Sequence, residues 1–159
     1  MIRYFRAREP AVADDLAGEV WVAVARSLCL GRFVGDEVAF RAWLFTIARC
    51  RVIDHRRRAA RHRTDPLLDD DMDRPAETSD GRDLAGSVVD RIRAQEAIER
   101  IVSDLTDDQA EAVLLRVVAD LDVHEVARIM GRTPGSVRVL CHRALRRLAA
   151  RMSEGVLAE

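Results

Sequence analysis

The chain contains no lysine; all 26 of its basic residues are arginine. Arginine's planar guanidinium suits paired contacts to phosphates and guanine edges. A GC-rich coding bias also accounts for much of such an absence, so the missing lysine assigns nothing by itself. Aromatic residues are scarce, at 4%, and any core must be aliphatic. The three cysteines, Cys29, Cys50 and Cys141, are far apart and form no CxxC pair. That speaks against a disulfide framework or a zinc site, and their apolar or basic neighbours suggest buried structural thiols rather than a redox sensor. The histidines, His55, His62, His124 and His142, lie among arginines or on helix faces, weak positions for ligation or catalysis. No apolar run is long enough to cross a bilayer and no signal peptide opens the chain, so the expected setting is the cytoplasm. There are no paired catalytic carboxylates, no nucleophile–base pair and no phosphate loop. Neither an enzyme nor a cofactor is expected.

What is present is helical pattern and segregated charge. Four prolines, eight glycines and few β-branched alternations point to an all-α fold. The net charge of −1 conceals three blocks. Residues 1–63 carry thirteen arginines against seven acids, residues 64–91 three against nine, and residues 92–159 ten against eleven. A neutral total assembled from basic, acidic and polarised blocks suggests separate surfaces for separate partners.

The stretch Leu121–Leu148 parses as helix, tight turn, helix. Asp122 with Glu125 has the spacing of a capping box. Val126, Ile129 and Met130 form a buried stripe, and Gly131 ends the helix because glycine enters the left-handed region freely. Thr133 caps the next helix, with Pro134 in its first turn. Val137, Leu140, Ala144, Leu145 and Leu148 make its apolar face. Seven arginines and no acid lie between Val126 and Met152. This is the layout of a DNA-reading helix-turn-helix. Two amphipathic helices around a glycine turn also occur in many helical bundles, so this motif alone leaves DNA binding open.

The remaining chain supplies context. Met1–Arg8 reads as the last turns of a helix broken by Pro10. Ala13 to about Leu30 is an amphipathic helix with Leu16, Val20, Ala23, Val24 and Leu28 inward and acids at its start. A loop, Gly31–Asp36, leads to a long helix from Glu37 to Arg63. Its first half has core spacing at Phe40, Trp43, Leu44, Ile47 and Ala48. Its second half is a ridge of Arg49, Arg51, Arg56, Arg57, Arg58, Arg61 and Arg63, a solvated face or a nucleic-acid surface. Residues 65–87, with the acid run Asp69–Asp73 and two prolines, read as a flexible acidic linker. Helical pattern resumes near Val88, with one stripe at Ile92, Ala97, Ile98, Ile101 and Leu105. A second capping box follows at Thr106 and Gln109, then a stripe at Ala110, Val113, Leu114, Val117 and Val118. Residues 154–159 are expected to fray. Two small helical domains, 1–64 and 88–153, are therefore expected on an acidic tether.

At this point two segments carry a family resemblance. FRAWLFTIARCRVIDHRRR, preceded by ADDLAGEVW, resembles region 2 of the extracytoplasmic-function sigma factors. LTDDQAEAVLLRVVADLDVHEVARIMGRTPGSVRVLCHRALRRL resembles their region 4. Order and spacing match over nearly the whole chain. The resemblance implies a specificity subunit that binds core RNA polymerase, engages the −10 promoter element through region 2 and reads the −35 element as duplex through region 4. By motif match it implies −35 contacts from Thr133, Ser136, Arg138, Val139, His142 and Arg143, with Arg146, Arg147 and Arg151 at phosphates or in solvent. It implies −10 backbone contacts from Arg49, Arg56, Arg57 and Arg58, with Asp54 orienting neighbouring arginines. Asp14, Asp15 and Glu19 match the acidic helix near the polymerase-docking surface, although dipole and solubility chemistry explains those acids equally well. The loop Gly31–Glu37 matches the segment that captures a base flipped from the −10 element.

Several positions depart from the family's pattern. Cys50 stands where asparagine is common, Gly18 where glutamine is common, and Leu140 where a second arginine is common. The chain also begins later than relatives do. An acidic tether could thread the basic channel later used by nascent RNA. An anti-sigma protein is compatible with the resemblance, and the chain lacks the His–Cys motif common in such inhibitors. The competing reading is a stand-alone helix-turn-helix regulator that never recruits polymerase; a repressor of that kind has no need of the region 2-like segment.

Overall fold

The computed structural model describes residues 1–64 and 95–156. The linker read at 65–87, its acid run and the stripe position Ile92 lie outside them. Seven α-helices and one 3-10 turn account for the described secondary structure. The N-terminal half comprises α1 (Ile2–Arg8), the 3-10 turn Pro10–Val12, α2 (Ala13–Cys29) and α3 (Glu37–Thr64). The C-terminal half comprises α4 (residues 95–103), α5 (Asp107–Val117), α6 (Val123–Met130) and α7 (Pro134–Val156). Helix α7 thus continues past Ser153, where fraying was expected.

In the N-terminal half, α1 packs on α2, and α2 along α3. Pro10 cannot donate a backbone hydrogen bond, and the chain turns there after Glu9 N–H closes on Phe5 O at 2.7 Å. Tyr4 and Phe5, read only as part of a short basic helix, are wholly buried. Tyr4 meets Phe45 edge-on at 5.6 Å between ring centroids. Leu16, Val20 and Val24 of α2 are buried as their spacing predicts, and Ala23 is half-buried. Leu28 is exposed, because it lies at the last turn of α2, beyond the packed part of the helix. In α3 the buried row is Ala42, Leu44, Phe45, Ala48 and Val52, while Phe40, Trp43 and Ile47 pack partly against it.

The C-terminal half is held by helix ends that the sequence announces. Thr106 and Gln109 form a reciprocal capping box at the start of α5. Asp122 Oδ1 accepts the N–H groups of His124 and Glu125 at 2.6 and 3.0 Å. The reciprocal half of that expected box is not made. Glu125 is buried instead, and its Oε2 has no hydrogen-bond partner. Gly131 ends α6 at φ 64°, in the left-handed region. Thr133 Oγ1 accepts the N–H of Ser136 at 3.2 Å and starts α7. Val126, Met130, Val137 and Ala144 fill the angle between α6 and α7. Leu145, placed by periodicity on the apolar face, is 61% exposed, and half-buried Cys141 takes its place beside Leu140. Val117, likewise read as inward, is exposed at the end of α5.

The halves are not separated. Helix α3 packs on α6, and the buried residues of both halves form a continuous cluster. No sequence pattern announces this contact between α3 and α6.

Candidate nucleic-acid interface

The helix-turn-helix places α7 with its N-terminal turns outward. Arg138, Val139, His142 and Arg143 are all exposed there, while Val137 and Ala144 anchor the opposite side. Residues three and four apart share a helix face, so Arg138 and His142 form one row and Val139 and Arg143 the next. Thr133 and Ser136 stand at the tip, joined to each other by the cap bond. The predicted reading set is therefore gathered on one accessible surface. It can offer guanidinium donors to base edges and phosphates and an apolar Val139 to a thymine methyl. Arg146 and Arg147 continue it, exposed. Arg151 is paired with Asp104 at 2.8 Å, which ties α7 back to the segment before α5.

The arginine ridge of α3 is divided. Arg57, Arg58 and Arg61 are exposed. Arg49 and Arg56 are turned into the contact with the C-terminal half. Arg56 pairs with Glu9 and, at 2.8 Å, with Asp107. Arg49 lies 3.6 Å from Glu111. Arg8, whose side chain is only 6% exposed, meets both acids, Glu111 at 3.2 Å and Asp107 at 3.3 Å. Tyr4 donates its hydroxyl to Glu111 Oε1 at 2.8 Å. Burial, reinforced by the Glu111 charge, pushes the Tyr4 phenol well above its ordinary range, so it remains a donor. A cavity of about 170 Å³ lies within this cluster, lined by Arg8, Arg49, Arg56, Asp107 and Glu111 among others. The four predicted −10 arginines are thus not presented as one surface: two are open and two are held by carboxylates. Sequence reasoning missed Tyr4, Arg8, Asp107 and Glu111. Glu111 was visible only as an acid inside an apolar helix stretch.

The acids proposed near a docking surface lie on the outer side of α2. Asp14 is 3.7 Å from Arg6, Asp15 is exposed, and Glu19 is 3.6 Å from Arg51. Further along α2 and at its end Trp21, Val22, Leu28 and Leu30 are also exposed. Trp21 and Val22 fall off the buried stripe, which is the signal that could have found them, whereas Leu28 and Leu30 are exposed because they lie at the end of the helix. At the loop between α2 and α3, Phe33 stacks on Trp43 at 5.0 Å and meets Phe40 edge-on at 5.4 Å. Trp43 is therefore half in the core and half in the loop's aromatic cluster. A Cβ on Gly35 would stand 2.9 Å from that of Ala39 and 3.0 Å from the Phe33 ring, so the loop needs glycine there.

Cys29 and Cys50 are exposed and Cys141 half-buried, which corrects the expectation of buried thiols. The first two sit on outward turns of α2 and α3, where no neighbouring helix covers them. Burial raises the Cys141 thiol above its ordinary value, which keeps it protonated and unreactive. Among the described residues no group of three or more His, Cys, Asp or Glu side chains could hold a metal, and no helix is long and apolar enough to cross a membrane.

A helix-turn-helix with an arginine-lined reading face, joined to an arginine-ridged helical half, defines a two-part nucleic-acid-binding protein. Comparison with known proteins narrows that class. Residues 1–62 match the family model of sigma-70 region 2, and residues 95–148 that of sigma-70 region 4. The sigma factor ShbA of Streptomyces griseus is 34% identical over 139 residues, covering 86% of this chain and 70% of the relative. BldN of Streptomyces coelicolor is 34% identical, covering 92% of this chain and 53% of its own length. SigD of Mycobacterium tuberculosis is 35% identical, covering 93% and 69%. The sigma factor RpoE of Bartonella quintana, solved with the anti-sigma factor NepR, shares the fold at TM-score 0.67 and 19% identity, over 96% of this chain and 89% of that one. The chain belongs to the extracytoplasmic-function sigma factors.

Proposed function

We propose that this protein binds core RNA polymerase and directs it to promoters, reading −35 duplex through α7 and engaging the −10 element through α3 and the loop before it. The observation that carries this is the exposed row of Arg138, Val139, His142 and Arg143 on a helix whose entry is fixed by Gly131 and Thr133. Arg146 and Arg147 supply sequence-independent phosphate contacts. Arg57 and Arg58 are open to the −10 backbone, and Arg49 and Arg56 join them once released. The outer face of α2 docks on the polymerase. Its first turns carry the acids Asp14, Asp15 and Glu19, and its later turns and end expose Trp21, Val22, Leu28 and Leu30, a mixture of charged and apolar surface that suits a protein interface.

The protein performs no chemistry of its own; the bond-forming steps belong to the polymerase, and the setting is the cytoplasm. A similar fold is bound by an anti-sigma factor in the Bartonella complex, and an inhibitor of that class is a further expected partner here. Co-purification with core polymerase separates this function from that of a stand-alone regulator. Binding that is retained by the wild type and lost in a Trp21→Glu, Leu28→Glu variant with intact helix content is expected. Duplex DNA binding without any polymerase association would favour the regulator.

A further inference from the structure

Glu125 has no part in the surfaces described above, yet it is 8% exposed and its Oε2 has no hydrogen-bond partner. Asp122 caps α6 without it. A buried carboxyl oxygen is costly to leave unmatched. This one borders a cleft of about 510 Å³ between α6 and the start of α3. Asp36, Trp43 and Thr46 stand on one wall, and Glu125, Arg128 and Ile129 on the other. Small-molecule sites commonly enclose about 300–1,000 Å³.

The walls are rich in acceptors. Asp36 spends one oxygen on the Ala39 N–H at 2.8 Å, which leaves the second. Thr46 donates its hydroxyl to Ala42 O at 2.8 Å, so its oxygen is left to accept. Glu125 Oε2 adds a third acceptor. Arg128 is exposed and does not satisfy that oxygen, although it sits one helical turn further on. Trp43 and Ile129, both half-buried, add aromatic and aliphatic surface. We infer that this cleft binds a small organic cation carrying N–H donors, an alkylammonium or alkylguanidinium, with its charged head on Glu125 in the field of Asp36 and its apolar body against Trp43 and Ile129. The unmatched oxygen calls for a hydrogen, which a quaternary ammonium ion cannot give. The two carboxylates call for positive charge, which a neutral alcohol lacks. The apolar walls favour a short carbon chain over a bare metal ion, and no three ligating side chains are grouped among the described residues. The occupant touches the loop before α3 and the first helix of the helix-turn-helix together. Neither the site nor its ligand class depends on the promoter roles proposed above.

The test follows amide and indole chemical shifts of the isotope-labelled full chain as butylguanidinium or butylammonium is added to millimolar concentration. The two arms show which head group the site prefers. Butyltrimethylammonium, which lacks N–H donors, and butanol, which lacks charge, are the comparison probes. Saturable shifts centred on Trp43, Thr46 and Glu125 are expected with the N–H cations and not with the comparison probes. Glu125→Gln keeps the side chain's size and is expected to weaken binding about tenfold. Asp36→Asn keeps an oxygen for the Ala39 N–H and is expected to weaken it by a smaller factor. Glu96→Gln removes a charge from α4, outside the cleft, and is expected to bind as wild type does. The site is overturned if neither cation saturates, if butanol binds equally (a merely apolar cleft), or if butyltrimethylammonium does (attraction by charge alone). Affinity equal to wild type in Glu125→Gln overturns it as well. Should that variant lose helix content, Asp36→Asn, on an exposed loop, decides in its place by the same criterion. No readout requires promoter activity, so failure of this site and failure of the proposed function are told apart.

Discussion

In the proposed −35 recognition, individual side chains make separable contributions. Arg138→Ala or Arg143→Ala is expected to weaken −35 duplex binding and to relax preference at one base pair. If the arginine pairs a guanine edge, the loss of discrimination is about 1–3 kcal/mol. Arg146→Ala should instead weaken all duplexes alike and lower the salt slope by about one. A fluorescence-anisotropy titration over several salt concentrations distinguishes the two. Gly18 stands mid-helix on the exposed side of α2, and a Cβ there meets nothing within 4 Å. Gly18→Ala should therefore stabilise the protein by about 0.5–1 kcal/mol in thermal or denaturant unfolding. The outward placement of the proposed reading row was legible in the sequence because caps and periodicity fix which side of α7 faces out. Leu145 was not, since helical spacing places it near the apolar face while the neighbouring helices do not reach it. The roles of Arg49 and Arg56 were legible only by type, because their partners lie 62 and 51 positions away along the chain.

Elements are set by their ends. Gly131 in the left-handed conformation closes α6, so Gly131→Ala should cost about 1–2 kcal/mol and tilt α7 away from its reading orientation. Loss of −35 binding greater than the loss of stability is the expected pattern, read from paired melting and binding measurements. At the start of α6, the Asp122 carboxylate is held below its ordinary value of 3.8, first by the Glu125 backbone N–H and then by that of His124. A lowered acid contributes stability that is fully present above its unfolded value and is lost as pH falls through the folded one. The advantage of wild type over Asp122→Asn should thus be constant above about pH 5 and shrink below 3.8, as followed by thermal melts. The caps at Thr106, Asp122 and Thr133 were readable because they depend on residues two to four positions apart. The one-sided cap at Asp122 was not: Glu125 has the sequence spacing of a box, but its side chain is buried among tertiary neighbours instead of reaching back.

At the scale of the whole molecule, composition indicates two arginine-rich helical halves around an acidic tether, and it misses their docking. Closure depends on long-range pairs such as Tyr4–Glu111 and Arg41–Asp120, which leave no periodic trace. A protein that joins sigma-70 regions 2 and 4 is a polymerase-binding, promoter-specific initiation factor. The central claim is tested most directly by run-off transcription from a promoter library with core polymerase, with and without this protein. Discrete transcripts that appear only with the protein, from templates sharing spaced −35 and −10 elements, are predicted. The absence of any protein-dependent transcript, with duplex DNA binding intact, would contradict it.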